Sequence, residues 1–306
     1  MAHTGLTEEQ LSEEYIGPRD ESFNQLILSI LGRGKLSKKL VDIVFDKELF
    51  SKVFTHKSID EENNYEYYEF IGDLTINKII GIYLTRRFPQ LRCTAGVRVL
   101  TRLKINLVSK KVLADWAESL GFWPFISATR EFRETKKKPM MEDVLEAIMG
   151  LLEQQIDEKC CKPDKSGQFT SGGGFRICYN ILKSVLDTFP ICGGLPDKEG
   201  VQTKPLKYTD LVDPKTRLKE LFDKHRDTLG KVKYSSDRDG QLCHSEVYAD
   251  MSQVVQGARR SRMTMGRGTA ALQADSRQAA SEQALAFLKQ RGYTRDIPAY
   301  YACFCE

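Results

Sequence analysis

The sequence predicts an all-α domain followed by a small α+β domain. Apolar residues recur at helical spacing from residue 22 to 189 with little β-branched alternation. After residue 205 the order changes to helix, three alternating segments, helix. Between them lies "PICGGLPDKEGVQTKP" (190–205), whose prolines and glycines mark an interdomain linker.

Taken in order, residues 1–21 are acidic and read as a flexible tail closed by Gly17-Pro18. "FNQLILSILG" opens the helical domain, 22–189, and stops at Gly32. "KKLVDIVF" and "KELFSKVFTH" are short helices, and "NYEYYEFIGDLTINKIIGIYLTRRFPQL" (64–91) contains a long one. In that helix Phe70, Leu74, Ile76, Ile79, Ile80 and Ile82 read mostly as core. "TRLKINLVSKKVLADWAESLG" reads as one amphipathic helix ending at Gly121, and "MMEDVLEAIMGLLEQQIDEK" as another. Residues 158–174, with Pro163 and a Ser/Gly run, form a loop before the helix "FRICYNILKSVLDTF". In the α+β domain, 206–293, Asp213-Pro214 opens "PKTRLKELFDKHRDTL". "KVKYSS", "HSEVYADM" and "SQVVQGARRSRMTMG" alternate as strands, and "ADSRQAASEQALAFLKQRG" closes the unit as a helix. Residues 294–306 are a C-terminal tail.

Composition narrows the function classes. The 306 residues carry 46 Lys and Arg against 42 Asp and Glu, a formal net charge of +4. No apolar run has membrane-spanning length, and the N-terminus lacks the basic and apolar regions of a signal peptide, so an intracellular protein without a membrane partner is expected. The eight cysteines form no CxxC pair and read as reduced thiols. Residues 74–114 contain nine basic side chains, Arg102 and Lys104 among them, and no acid. An uninterrupted basic stretch of this kind suits a polyanion.

The acids beside that stretch are the sharpest signal. Glu66, Glu69 and Asp73 stand at i, i+3 and i+7, so they share one narrow stripe of a helix. "EDVLEAIMG" adds Asp143 and Glu146, again at i and i+3. Like charges gathered on apolar helices call for cations. Oxygen ligands without His or Cys select Mg²⁺, with Mn²⁺ able to substitute. Such a centre suits phosphodiester hydrolysis, in which metal ions activate water and offset charge on the leaving oxygen.

These segments carry a resemblance. "YEYYEFIGDLTI" resembles the signature helix of ribonuclease III, "EDVLEAIMG" its second acidic helix, and "FTHKS" (54–58) a further family landmark; the three stand in family order and spacing. The C-terminal α-β-β-β-α unit resembles a double-stranded-RNA-binding domain. The resemblance implies an all-α ribonuclease III-like endonuclease domain that binds Mg²⁺ through Glu69, Asp73, Asp143 and Glu146. Asp73 and Glu146 would matter most for catalysis, with Glu66 an accessory acid near a subunit seam. It implies cleavage of double-stranded RNA by a homodimer with 5′-phosphate and 3′-hydroxyl ends. Gly72 would let two helices approach closely.

The sequence departs from the family in two places. After Phe88-Pro89 the usual further acid, the partner of Glu66 at the seam, is missing. The last helix lacks the paired lysines that grip phosphates and offers only Arg277, so Arg259, Arg260, Arg262 and Arg267 would have to contribute. Thr216, Glu220 and His244 stand where minor-groove contacts are expected. Two other readings compete: a catalytically weak or inactive protein that sequesters duplex RNA, for instance to suppress RNA silencing, and a helical nucleotide pyrophosphohydrolase using the same acids.

Overall fold

Asp20, Ser37 and Asp46 each accept a first-turn backbone N–H through the side chain, and each starts a helix. The computed structural model describes residues 13–160, 172–250 and 262–306. The chain divides into two units, residues 1–203 and 204–306. The first contains α1 (Glu21–Arg33), α2 (Lys38–Val44), α3 (Lys47–Val53), α4 (Glu66–Arg87), α5 (Val97–Leu107), α6 (Lys110–Ser119), α7 (Arg130–Thr135), α8 (Lys137–Cys160) and α9 (Gly173–Leu186). A two-residue antiparallel ladder joins β1 (Glu14–Tyr15) to β2 (Ala128–Thr129).

α4 and α8 form the centre of this unit. Ile76, Ile79 and Ile80 of α4 and Val144, Leu145, Ile148 and Leu152 of α8 are fully buried. The two helices touch backbone to backbone. A Cβ on Gly72 would collide with the Glu146 carbonyl, and one on Gly150 with the Tyr68 carbonyl. Gly174 repeats the device, bringing the first turn of α9 onto the Glu153 carbonyl of α8.

Several expectations are corrected. Residues 14–19 are fixed rather than a flexible tail. β1 pairs with β2, and the Arg19 guanidinium donates to the carbonyls of Gly17, Phe125 and Phe54 and to Ser51 Oγ. The stretch expected as one helix from 101 to 121 is two, because Ser109 is extended and starts a new helix. Phe70 and Leu74 are exposed rather than core, since the face of α4 opposite its buried isoleucines carries them. α8 continues through residues 158–160 and α9 begins at Gly173, which shortens the loop expected at 158–174. The expected linker is anchored as well. Gln202 Oε1 accepts from Arg87 Nε and Nη2, and the fully buried Arg87 also donates to the carbonyls of Leu186, Phe189 and Gly194.

The second unit is α+β. It contains α10 (Tyr208–Leu211), α11 (Pro214–Lys224), α12 (Arg226–Leu229), β3 (Lys231–Asp239), β4 (Leu242–Asp250), β5 (Arg262–Ala270), α13 (Gln273–Gln290) and α14 (Ala299–Ala302). The sheet is antiparallel in the order β3-β4-β5, with Tyr234 opposite Val247 and Val247 opposite Gly266. Leu218, Leu221 and Phe222 of α11, Val247 and Met265 of the sheet, and Ala280, Ala284 and Leu288 of α13 make one core. Gly266 and Gly268 lie against the backbone of α13. The final residues are no loose tail: Leu206 N–H donates to Phe304 O and Glu306 N–H to Leu206 O. Among the described residues no helix is long and apolar enough to cross a membrane.

Candidate metal centre

The glycine crossing decides where the acids go. With Gly72 lying on Glu146 and Gly150 on Tyr68, the acidic stripe of α4 faces that of α8. Carboxylate oxygens of Glu69, Asp143 and Glu146 lie within 4.8 Å of one another. Burial and mutual repulsion act together on them. Desolvation, then Asp143 and Glu66, push the Glu69 carboxyl up to about 7. Desolvation, then Glu142 and Asp73, push Glu146 up to about 8. Asp143 is raised too, chiefly by burial. These oxygens are poorly compensated by the protein, the condition a divalent cation relieves.

The other two predicted acids are placed differently. Asp73 is exposed and stands outside the three-acid group, its Oδ1 accepting from Asn77 Nδ2 at 2.7 Å. Its charge still acts on Glu146. Glu66 pairs with Lys57 at 2.6 Å, so a lysine of the same unit faces the acid whose expected partner after Pro89 is missing.

"FTHKS" proves to be a docking segment for the start of α4. Phe54 is buried, and the Thr55 carbonyl accepts from Tyr65 N–H at 3.2 Å. His56 Nδ1 accepts from Ser58 N–H, while Ser58 Oγ accepts from Thr129 N–H. Lys57 reaches Glu66. Tyr65, fixed this way, donates its hydroxyl to Asp143 Oδ2 at 3.1 Å.

Sequence reasoning missed three members of the centre. Tyr65 lies within the motif "NYEYYEF" with no local sign of a role of its own. Glu142 is buried beside Asp143 and pairs with Lys110 Nζ at 3.0 Å. Lys110 counted only as one of nine basic residues. Glu142 adjoins Asp143 in "MMEDVL", a visible signal, whereas the pairing with Lys110 depends on the packing of α6 against α8.

The residues expected to meet RNA in the second unit have partners inside it. Thr216 Oγ1 donates to Asp213 Oδ2 at 2.7 Å as part of the α11 cap. Glu220 accepts from Tyr208 Oη at 3.0 Å and pairs with Arg295 at 2.8 Å. His244 Nδ1 lies 2.9 Å from Thr269 Oγ1, Arg267 pairs with Glu246 at 3.2 Å, and Arg277 Nε donates to Ser236 Oγ at 3.1 Å. Arg259 and Arg260 fall outside the described residues, as does the side chain of Arg262. In the first unit Arg102 and Lys104 lie on α5, both partly buried.

The chain is similar to known proteins over the region that holds this centre. Residues 66–155, from the start of α4 to near the end of α8, match the model of the ribonuclease III domain. The chain is 33% identical over 302 residues to the putative ribonuclease 3 of Invertebrate iridescent virus 6, covering 95% of each protein. It is 30% identical over 269 residues to the putative ribonuclease 3 of Frog virus 3, covering 88% of this chain and 63% of that protein. Among solved structures, the nuclease domain of ribonuclease III from Campylobacter jejuni aligns over 50% of this chain and 99% of its own, with 29% identity and a TM-score of 0.38.

Proposed function

The chain belongs to the ribonuclease III family and is an endoribonuclease, and we propose that it hydrolyses double-stranded RNA with Mg²⁺ held by Glu69, Asp143 and Glu146. The observation that carries this reading is the gathering of those three carboxylates, two half-buried and Glu146 buried, and mutually repelling, at the crossing of α4 and α8. An oxygen-only donor set fits Mg²⁺, or Mn²⁺ in its place. Asp73 is the further ligand a two-ion centre asks for, reached once its carboxylate leaves Asn77. Bound Mg²⁺ supplies the positive charge that acidifies water and polarises a phosphate.

The protein's own residues set the geometry around that charge. Tyr65 orients Asp143 through its hydroxyl, and the Gly72 contact fixes the distance between the two acidic helices. In the hydrolysis a water oxygen bonds to phosphorus as the bond to the 3′ oxygen breaks. The departing oxygen takes a proton, leaving 5′-phosphate and 3′-hydroxyl ends.

Two further features support the reading. Tyr67, Phe70 and Leu74 form an exposed stripe on α4 at i, i+3 and i+7, an apolar face suited to a second copy of the chain; two copies would supply one centre per strand. The α-β-β-β-α order of the second unit suits a duplex-binding module, and Arg102 and Lys104 on α5 suit a phosphate backbone.

The test is incubation of a long duplex RNA with Mg²⁺ or with EDTA, followed by sizing and end analysis. Cleavage is expected only with Mg²⁺. Glu146→Gln should abolish it while duplex binding persists, and undiminished cleavage by that variant rejects the centre.

A further inference from the structure

The interruption between α5 and α6 places Lys110 in the first turn of α6, against α8. Lys110 Nζ lies 3.0 Å from Glu142 Oε2, and the two side chains differ widely in exposure, 72% against 8%. The carboxylate is therefore part of the helix contact, while the ammonium stands at the solvent rim of the metal centre. A lysine ammonium has three N–H donors. Its contact with Glu142 is an ion pair by distance, Glu142 Oε2 having no hydrogen-bond partner, so the ammonium's N–H donors can turn to a ligand. The same charge acts on Asp143 and Glu146. Ser109, immediately before the helix, directs its hydroxyl to the Asn106 carbonyl, so no side chain caps the first amides of α6.

A phosphodiester arriving here meets Glu66, Glu69, Asp73, Glu142, Asp143 and Glu146, and repulsion by that many carboxylates must be overcome. Lys57 is poorly suited to the task, because its pair with Glu66 is about half exposed on both sides and so weakly held. Lys110 is itself exposed, but its partner carboxylate is buried, which holds the positive charge beside the centre where a substrate's charge grows.

We propose that Lys110 is a catalytic residue of this endoribonuclease, its ammonium binding a non-bridging oxygen of the scissile phosphate. Glu142 is its positioning residue. The inference rests on the metal-centre reading above and adds a binding group to it. No proton changes hands at Lys110: the ammonium offsets negative charge on the phosphate oxygens as the water oxygen bonds to phosphorus.

The alternative role, a brace between α6 and α8, makes different predictions. Lys110→Met, Lys110→Arg, Glu142→Gln and Glu146→Gln are compared in the full chain by single-turnover cleavage of a defined duplex RNA with Mg²⁺. Duplex affinity with Mg²⁺ withheld and melting temperature are measured alongside. Lys110→Met is expected to slow cleavage by ~10²-fold, the scale of one lost charge-stabilising donor. Affinity should change little, because one phosphate contact among many is removed. Lys110→Arg should recover most of the rate by keeping the charge, and Glu142→Gln should slow cleavage by a smaller factor than Lys110→Met.

Wild-type rates in Lys110→Met, with only a lowered melting temperature, overturn the proposal and leave the brace. Should Lys110→Met fail to fold, Lys110→Gln takes its place, and wild-type rates in that variant overturn the proposal equally. Undiminished cleavage by Glu146→Gln is a separate result that removes the metal centre itself.

Discussion

The two units treat their charged residues in opposite ways. In the first, Glu69, Asp143 and Glu146 are brought together with little to neutralise them, and two of the three have carboxyls raised to about 7 and about 8. In the second, the polar groups expected from the sequence to meet RNA already have partners: Thr216 caps α11, Glu220 holds Tyr208 and Arg295, Arg267 holds Glu246, and Arg277 holds Ser236. Uncompensated charge kept at the crossing of two core helices is expensive in stability and marks chemistry. Satisfied charge on a surface is what any stable domain shows.

The largest effect that can break this comparison is steric. Gly72→Ala drives a methyl group into the Glu146 carbonyl, so α4 must move from α8. Overpacking of this kind costs on the order of 3 kcal/mol. Urea denaturation should show that loss, and Mg²⁺-dependent cleavage should vanish with it. A variant of wild-type stability and activity would show that the glycine contact does not set the acid spacing.

A smaller effect sharpens the comparison through pH. Glu69 and Glu146 carry folded-state values of about 7 and about 8 against an ordinary 4.5. A raised carboxyl binds its proton more tightly in the folded chain, so its contribution to stability is present below about 4.5 and is lost as pH rises through the folded value. Without divalent ions the melting temperature of the first unit should fall between pH of about 4.5 and about 8. Glu146→Gln should flatten that slope, and Mg²⁺ should stabilise most at the alkaline end, where the acids are ionised. Calorimetry across that range checks both; a slope of the opposite sign would contradict the assigned environments.

The smallest effect is expected in the second unit. Arg277→Ala removes a cation that is already hydrogen-bonded to Ser236, and duplex affinity should fall by less than about fivefold, the equivalent of ~1 kcal/mol. A gel-shift measurement showing a loss of a hundredfold would make Arg277 a principal RNA contact and erase the contrast between the units.

Much of this is legible from helical periodicity and from the resemblance of the acidic segments to ribonuclease III. The i, i+3, i+7 placement of Glu66, Glu69 and Asp73 needs only a helix, and the resemblance to ribonuclease III implied the close approach at Gly72. The helix–sheet–helix order of the second unit followed from a change of period near residue 205. Pairings across long stretches of chain were not legible. Lys110 with Glu142 and Lys57 with Glu66 depend on tertiary packing that no local pattern encodes. The same holds for the anchored ends: Arg19 secures residues 14–19, and Arg87 with Gln202 secures the segment read as a linker. Phe70 and Leu74 were misread for a different reason, because an apolar residue at helical spacing looks the same whether it fills a core or faces outward.

Because α4 meets α8 through main chain at Gly72 and Gly150, the frame on which the acids hang contains no side chain at its point of contact. Neighbours such as Tyr65, Lys110 and Glu142 can be exchanged without resetting it. Divergence can therefore retune the affinity and pace of the centre one residue at a time, while the spacing between its two halves stays constant as long as both glycines remain.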